Sequence, residues 1–300
     1  MSVSIIRHVT WVGFWVNAVL MVIKIAIGHY GHSDALVADG VHSLSDFATD
    51  LIVLSFVGIA YKGADSEHPY GHGKFETFAS LLIAVILVIV AVGLGWSGVR
   101  AIISSLQGNP LPRPDIWTIV VALIAILSKE WLYRYTIATG KRIDSSSLIA
   151  NAWHHRSDAI SSVATLIGVS AGYFLGEGWR IADPVVSIII AFFIAGSAIE
   201  IGRPSVDELL ERSLPKDKIR EIEEAVAAVP GVKDYHRLRT RRNGHSYLAE
   251  LHIKVDPNIT VTQGHAISTL VETSLRSLLG EDSIITVHVE PYRNSGALQE

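Results

Sequence analysis

The sequence contains no cysteine and only two methionines among its 300 residues. The absence of cysteine excludes disulfide bonds, thiolate metal ligands and a cysteine nucleophile. Charged residues are also scarce, at 18%, whereas hydrophobic residues make up 49%. This composition excludes an intrinsically disordered chain and argues against a single soluble domain. The net charge of −4 gives no basic surface of the kind that binds nucleic acid.

The few charged residues are unevenly distributed along the chain. The last third, from Val206, carries half of them, so the first two thirds are correspondingly apolar. We therefore predict a membrane domain at residues 1–205 and a soluble domain at residues 206–300. The 13 histidines are numerous for a chain without cysteine, so a bound metal would be held by imidazole and carboxylate groups.

Six apolar stretches are long enough to cross a bilayer as helices. The third is the clearest, since residues 77–99 contain no charged side chain. The first stretch has no small-residue cleavage site after it, so we interpret it as a retained helix rather than a signal peptide. The predicted spans are about 9–29, 34–61, 75–104, 115–138, 146–175 and 181–203.

Six crossings place both termini on the same side of the membrane. Basic residues are more frequent in the loops on that side, and the positive-inside rule then predicts cytoplasmic termini in an inner or plasma membrane. The soluble domain is cytoplasmic in this topology, which suits a domain without disulfides. The basic residues on the inner side are Arg7, Lys62, Lys74, Arg134, Lys141 and Arg142, against Arg100, Arg113 and Arg180 on the outer side.

Ionisable residues inside apolar helices are energetically costly and mark functional sites. The second span contains His42 and Asp46, whose spacing of four residues places both on one face of a helix. The fifth span repeats this spacing with His154 and Asp158. Counted from the membrane surface where each helix begins, all four lie near the bilayer midplane. They converge if the two helices are neighbours.

Two imidazoles and two carboxylates can form a closed tetrahedral site that suits Zn²⁺, and the carboxylates neutralise a divalent ion. Mg²⁺ and Ca²⁺ would require six or more oxygen ligands. The alternative is an interhelical hydrogen-bond cluster that holds the bundle together. Asp39 and Asp50 lie in the same span as His42 and are candidates to line the ion path. His155 is expected to pack beside the site.

Other ionisable residues of the spans have simpler expected roles. Lys24, near the end of the first span, is expected to extend its ammonium to the membrane surface. Lys129 and Glu130 are expected to pair with each other or to reach the surface in the same way. Asp183 precedes a proline at the start of the sixth span, where it can cap the helix or line a vestibule.

Three motifs, in this order, resemble those of the cation diffusion facilitator family: D-G-V-H-S-L-S-D in the second span, H-P-Y-G-H-G-K-F-E in the next loop and H-H-R-S-D in the fifth span. The resemblance extends over nearly the whole chain. It implies a membrane all-α bundle of six helices followed by a cytoplasmic α+β, metallochaperone-like domain. It also implies a homodimeric carrier that exports divalent metal in exchange for protons, with the transport site at His42, Asp46, His154 and Asp158.

The type of metal is also suggested by the resemblance. Relatives that favour manganese tend to carry aspartate on both helices, and many bacterial relatives have aspartate where this chain has His42. Histidine at this position resembles the zinc-type pattern, so Zn²⁺ is the expected cargo. Fe²⁺, Cd²⁺ and Co²⁺ remain alternatives.

The loop after the second span offers a second group of ligands. Asp65, His68 and His72 can surround one ion, and Pro69 with its neighbouring glycines allows the tight path that this requires. A solvated turn is the alternative, and the resemblance favours a metal site with a peripheral role. Further contacts are expected at the membrane surface, where the resemblance implies a charge interlock at the dimer hinge between Lys74 and Glu211.

The sequence from Pro215 onward predicts a small open sheet with helices on one face, in the order α-β-β-α-β. The predicted elements are a helix at 215–229, strands at 233–241 and 245–255 joined by an Asn-Gly hairpin turn, a helix at 262–279 and a strand at 283–290. Alternation places the apolar strand residues on one face and His252, His288 and Glu290 on the other. The resemblance implies a regulatory Zn²⁺ site formed by His236, His252, His265, His288 and Glu290.

Two other classes of function compete with transport. An intramembrane metalloprotease would place histidine and aspartate in the bilayer, but it usually carries His-Glu-x-x-His, which is absent here. A membrane-bound metal sensor would bind the ion without carrying it. Polar residues in both halves of the second span favour a path over a sealed site. No Walker motif is present, so the sequence indicates a secondary transporter and not an ATP-driven pump or an enzyme.

Overall fold

The computed structural model describes residues 2–60, 62–142 and 146–293. The side chains of residues 2–7, 46, 48–58, 60, 146–147 and 150 lie outside the described part. The helices and strands are α1 (Ser2–Tyr30), α2 (Asp34–Ala60), α3 (Lys74–Leu106), α4 (Ile116–Arg142), α5 (Ser146–Phe174), α6 (Ala182–Leu209), α7 (Lys216–Ala227), β1 (Asp234–Asn243), β2 (Ser246–Val255), α8 (Val261–Leu279) and β3 (Ile284–Pro291).

The first six helices follow the six predicted spans in chain order. Among the described residues, α1, α3, α4 and α6 are long and apolar enough to cross a membrane, judged by length and composition alone. Helices α2 and α5 have 27 and 29 residues, so their length also suffices for a crossing. They carry all four residues of the predicted transport site, and the total of six crossings remains a prediction.

The outer surface of the helices is strongly apolar. On α3, for example, Ile89 and Val92 are 65% and 66% exposed, and on α6 Phe192 is 75% exposed. Large apolar side chains at this density would be unfavourable in water but are suited to contact with lipid tails. The helical part of the chain is therefore a membrane bundle, as the sequence predicted.

The chain divides into two compact units. The first comprises Met1–Leu51 and Leu82–Gly202, and in it α4 packs along α5 and against α1. The second comprises Ile52–Leu81 and Arg203–Glu300. The loop after α2 and the start of α3 thus belong to the same unit as the C-terminal domain. The limits expected from the sequence, 1–205 and 206–300, remain a prediction.

The C-terminal domain contains a three-stranded sheet in the order β1-β2-β3. β1 and β2 are antiparallel, whereas β2 and β3 are parallel and are connected through α8. The apolar core lies on one face of the sheet, where the strands bury the residues that alternation predicted. The buried core residues include Ile222, Val226, Ala249, Leu251, Ile253, Val255, Val271, Leu275 and Ile285. The α+β class expected from the sequence is confirmed.

Local sequence signals fix the ends of these elements. Asn243 pairs with Ser246, so the hairpin turn consists of Gly244 and His245, one residue later than expected, with Gly244 at φ 59°. Helix α8 begins after Thr260, whose side chain accepts a hydrogen bond from the Gln263 amide, while the Gln263 side chain accepts one from the Thr260 amide. This reciprocal capping satisfies two amides at the helix start.

Candidate metal sites

Asp158 is the centre of the polar cluster inside the helical unit. Its side chain is 8% exposed, and its Oδ2 accepts a hydrogen bond of 2.7 Å from Lys129 Nζ of α4. One turn earlier on α5, His154 Nε2 lies 3.9 Å from the same oxygen, as the spacing of four residues requires. His42 of α2 is within electrostatic range of Asp158. Its buried Nδ1 has no hydrogen-bond partner among the described residues.

Of the four residues predicted for the transport site, the structure places His154 one turn from Asp158, with His42 in electrostatic range of that carboxylate. The fourth, Asp46, belongs to α2, and its side chain lies outside the described residues, as does that of Asp50. An unpartnered buried imidazole nitrogen in electrostatic range of a buried carboxylate is compatible with a role as a metal ligand.

Asp39 is held in a second buried cluster. Its Oδ2 lies 2.8 Å from Lys24 Nζ, and both side chains are 1% exposed. Ser162 of α5 donates to Asp39 at 2.9 Å and accepts from Lys24 at 3.1 Å, so α1, α2 and α5 are joined. The expectation that Lys24 reaches the membrane surface is wrong, because a buried carboxylate on the neighbouring helix binds its ammonium. A role for Asp39 along the ion path remains a prediction and would require this pair to open.

Two other expectations for the helices are corrected by the structure. Lys129 pairs with Asp158 and not with Glu130, which accepts from Arg134 at 2.7 Å along the same helix. Asp183 of α6 does cap a helix, but the helix is α2. It accepts from Ser33 Oγ at 2.6 Å and from the backbone amide of Asp34 at 2.7 Å. A carboxylate at a helix N-terminus satisfies free amides there and interacts favourably with the helix dipole.

His155 points into the helical unit on the face of α5 next to His154. It is 3% exposed, and neither ring nitrogen has a hydrogen-bond partner among the described residues. It lies within electrostatic range of Lys129 and Asp158. The packing position expected from the sequence is thus observed. A buried imidazole without a hydrogen-bond partner is unusual, and its neutral form has a free nitrogen that can accept a hydrogen bond.

The loop between α2 and α3 gathers Asp65, His68 and His72. His68 Nδ1 lies 3.6 Å from Asp65 Oδ1 and His72 Nε2 lies 3.5 Å from Oδ2, and one ligand atom from each residue falls within 4.8 Å of the others. His72 Nδ1 lies 3.3 Å from the carbonyl oxygen of Gly63. Such a backbone contact fixes the tautomer in which Nε2 is free to bind a metal.

Asp65 is kept ionised by its surroundings. A hydrogen bond of 2.8 Å from Lys62 Nζ, with others from the His68 and Glu67 amides, holds its pKa well below the usual range. The carboxylate is therefore available as a metal ligand at any physiological pH.

The C-terminal domain aligns three histidines across its sheet. His236 pairs with His252 in the antiparallel ladder, and His252 pairs with His288 in the parallel one, so the three form a row on the face opposite the core. Glu290 lies two residues beyond His288 and faces the same row. His252 Nδ1 lies 2.8 Å from Glu290 Oε1, and His236 Nε2 lies 3.4 Å from Oε2.

Several ligand atoms of this row and of Glu290 lie close enough together to bind one metal ion, which a single histidine could not hold firmly. Ligand atoms of His236, His252 and Glu290 lie within 4.8 Å of one another, and His288 Nε2 lies 3.7 Å from Glu290. The hydrogen bond from His252, together with the charges of the neighbouring histidines, lowers the pKa of Glu290. His265 of α8 is exposed and lines a cavity that also reaches Glu290, at the edge of the group rather than within it.

Glu211 links three elements within the second unit. Its carboxylate forms ion pairs with Lys74 of α3 and with Arg241 of β1, the latter at 2.6 Å. The pairing of Lys74 with Glu211 expected from the sequence is present, whereas Arg241 was not foreseen. Burial opposes the charge on Glu211, but the hydrogen bonds from Lys74 and Arg241 outweigh it and lower its pKa.

Comparison with known proteins identifies the family. Residues 10–210 match the model of the cation efflux transmembrane domain. The chain belongs to the cation diffusion facilitator family. Residues 214–292 match the model of the cation efflux protein cytoplasmic domain.

Three relatives illustrate the range of this family. The manganese efflux system protein MneP of Bacillus subtilis is 35% identical over 96% of this chain and 97% of its own length. Metal tolerance protein C1 of Arabidopsis thaliana is 35% identical over 91% of this chain and 59% of its own length. The cation-efflux pump FieF of Citrobacter koseri is 32% identical over 91% of this chain and 89% of its own length. Membership makes the protein a divalent metal efflux transporter and not an enzyme.

Proposed function

We propose that this family member exports Zn²⁺ from the cytoplasm in exchange for protons. The observation that carries the proposal is the buried Asp158 carboxylate with His154 beside it and His42 in electrostatic range. Asp46, one turn from His42 on the same face of α2, supplies the fourth ligand in this proposal. Two nitrogens and two oxygens suit the tetrahedral coordination of Zn²⁺.

The same ligands explain how protons are exchanged. Metal binding requires neutral imidazoles and ionised carboxylates, so protons and metal compete for one site. Histidine is the side chain that changes charge near neutral pH. The site loads metal from the cytoplasm when His42 and His154 are neutral, and protons that rebind from the other side release it. The helices must open the site alternately to each side of the membrane.

The other two metal sites are proposed to have supporting roles. Asp65, His68 and His72 hold a peripheral ion in the loop, since they lie outside the helices that would carry the cargo. The histidine row of the C-terminal domain binds regulatory Zn²⁺ and supports a homodimer. The double variant His252→Ala/His288→Ala should bind fewer Zn²⁺ ions per chain and still transport. Complete loss of transport in a well-folded double variant would contradict this division of roles.

The placement in the cell is part of the proposal. We place the protein in the inner or plasma membrane with six crossings and with both termini and the C-terminal domain in the cytoplasm. The excess of basic residues in the inner loops supports this orientation. The ion pair between Lys74 and Glu211 supports the hinge role proposed for it in the dimer.

Manganese is the second candidate for the cargo. The relative named a manganese efflux system protein is 35% identical over nearly the whole chain. Against manganese, His42 adds a second imidazole to the site, and nitrogen ligands suit Zn²⁺ better than Mn²⁺.

A metal panel in proteoliposomes decides between the two. The full-length protein is reconstituted, and uptake of Zn²⁺, Mn²⁺, Cd²⁺, Fe²⁺ and Co²⁺ is measured under an opposing pH gradient. We expect Zn²⁺ to give the highest kcat/KM. A higher value for Mn²⁺ would assign the protein to manganese, and a higher value for Fe²⁺, Cd²⁺ or Co²⁺ would assign it to that ion. Binding without uptake of any of the five would indicate a sensor instead of a transporter.

A further inference from the structure

We propose that Lys129 is a tethered counter-ion of the transport site, which the metal must displace from Asp158 before it can bind. The inference rests on the proposed transport function and adds to it a residue from a third helix, α4. A cation would have to bind Asp158 more strongly than the ammonium does in order to occupy the site. Lys129 would thus exclude weakly binding cations and act as a determinant of specificity.

The geometry places the ammonium where a metal would lie. Lys129 Nζ is 2.7 Å from Asp158 Oδ2, which is also the carboxylate oxygen that faces His154. A Zn²⁺ ion bound to this oxygen would lie about 2 Å from it. The ammonium and the metal cannot share that position, and at this short separation in a buried site two cations repel strongly.

Burial makes the competition strong. The side chains of Lys129 and Asp158 are 2% and 8% exposed, so water screens their attraction poorly. Because the ammonium is attached to a helix that packs along α5, it competes at a high effective concentration. A monovalent ion such as Na⁺ has the same charge as the ammonium and no covalent tether. A divalent ion has twice the charge and gains the imidazoles as ligands.

The displaced ammonium has an acceptor nearby. His155 is buried, lies within electrostatic range of Lys129 and leaves both ring nitrogens without a partner among the described residues. A neutral imidazole nitrogen can accept a hydrogen bond from an ammonium. In this proposal, Lys129 moves from Asp158 toward His155 when metal enters, so its charge is not left without a partner.

The protein offers a matched control for this role. Lys24 is also buried and also pairs with an aspartate, at 2.8 Å from Asp39. Among the described residues, its ammonium also donates hydrogen bonds to the hydroxyl groups of Ser43 and Ser162. Loss of Lys24 removes a buried ion pair of the same kind from the same helical unit and leaves the counter-ion of Asp158 in place.

The test uses three variants of the full-length protein in proteoliposomes, with Zn²⁺ as the probe. Lys129→Met removes the charge and keeps the length of the side chain, Lys129→Arg keeps the charge, and Lys24→Met is the control. We expect Lys129→Met to lower KM for Zn²⁺ by about tenfold or more. Na⁺ at high concentration should inhibit this variant, and not the wild type. Lys129→Arg should keep a KM close to the wild-type value, and Lys24→Met should not show the inhibition by Na⁺ that is expected for Lys129→Met.

A thermal-unfolding measurement covers the case in which the variants lose activity. Lys129→Met and Lys24→Met should both lower the Tm without metal, since each leaves a carboxylate unpaired. Zn²⁺ should raise the Tm of Lys129→Met by more than it raises that of the wild type, because the metal replaces the missing counter-ion. It should raise the Tm of Lys24→Met no more than that of the wild type.

The outcomes separate this proposal from the proposed function. An unchanged or higher KM in Lys129→Met, together with an unchanged Zn²⁺-induced rise in Tm, would overturn the counter-ion role and leave the transport site intact. Normal Zn²⁺ uptake in Asp158→Asn would instead overturn the transport site itself.

Discussion

In the proposed transport site, the side chain at position 42 decides whether one of the four ligands is a nitrogen or an oxygen. An imidazole nitrogen favours Zn²⁺ and contributes no negative charge, whereas a carboxylate favours harder ions and adds one. In the structure, His42 lies within electrostatic range of Asp158 and its Nδ1 has no described partner. If His42 is a ligand, as proposed, exchange of this one side chain for a carboxylate should change the selectivity of the site without removing a ligand.

We expect His42→Asp to shift the ratio of kcat/KM for Zn²⁺ over Mn²⁺ by about tenfold or more toward Mn²⁺. The measurement is metal uptake in proteoliposomes with each ion in turn. His29→Asp, at an exposed histidine near the end of α1, provides the control and should leave the ratio unchanged. An unaltered ratio in His42→Asp, with transport intact, would show that His42 is not a ligand.

The ion-pair partners of the two buried lysines could not be predicted from the sequence. The spacing of His42 from Asp46 and of His154 from Asp158 identified candidate ligands, because four residues make one helical turn. The partners of Lys24 and Lys129 lie on other helices. No local pattern states which helices are neighbours or which side chains lie at the same level. The role of Asp183 in capping α2 from α6 was hidden for the same reason.

Glu211 lies just after the last residue of α6 and forms the C-terminal cap of this helix. Its φ is 61°, a left-handed conformation that usually requires glycine. The Arg212 amide donates to the Asp207 carbonyl at 2.9 Å and the Glu211 amide to the Glu208 carbonyl at 3.1 Å, the two bonds of a Schellman motif. The carboxylate of Glu211 forms ion pairs with Lys74 and Arg241. These ion pairs offset the conformational cost of a glutamate where glycine is usual.

These ion pairs depend on pH in a defined direction. The pKa of Glu211 is lowered from its ordinary value of 4.5. The pairs therefore contribute stability above pH 4.5 and lose it as the pH falls through the lowered value. Since the Glu211 side chain is 41% exposed, the contribution is about 1 kcal/mol or less.

Charge reversal tests the link between α3, α6 and β1. We expect Glu211→Lys to impair transport more than Lys74→Glu does, because Glu211→Lys brings three cations together while Lys74→Glu leaves Arg241 to pair with Glu211. The double variant Lys74→Glu/Glu211→Lys should recover part of the transport rate lost in Glu211→Lys.

The control for the charge reversal is an exposed pair within one helix. Arg220 and Asp217 of α7 lie 2.6 Å apart and are 68% and 87% exposed. Arg220→Glu combined with Asp217→Lys should leave transport unchanged. The interlock would be refuted if the Lys74/Glu211 double variant transported no better than Glu211→Lys alone, with both proteins folded to the same extent.

For the whole molecule, much of the architecture follows from patterns along the chain. Long apolar stretches predicted α1 to α6, and strict alternation predicted which face of β2 is buried, as Leu251 and Ile253 show. The row formed by His236, His252 and His288 depends on the register of two strand pairs. Alternation alone could place these side chains on one face but could not align them, so the family resemblance was needed.

Metal and proton movement through one site is the central claim for the whole molecule. The measurement that tests it most directly is the change in internal pH of proteoliposomes when a Zn²⁺ gradient is applied across their membrane. The wild type should move protons against Zn²⁺, with a flux that disappears when Zn²⁺ is omitted. Asp158→Asn should show neither Zn²⁺ uptake nor proton flux, because it removes a ligand and half of the neutralising charge. Zn²⁺-driven proton flux at the wild-type rate in Asp158→Asn would contradict the account.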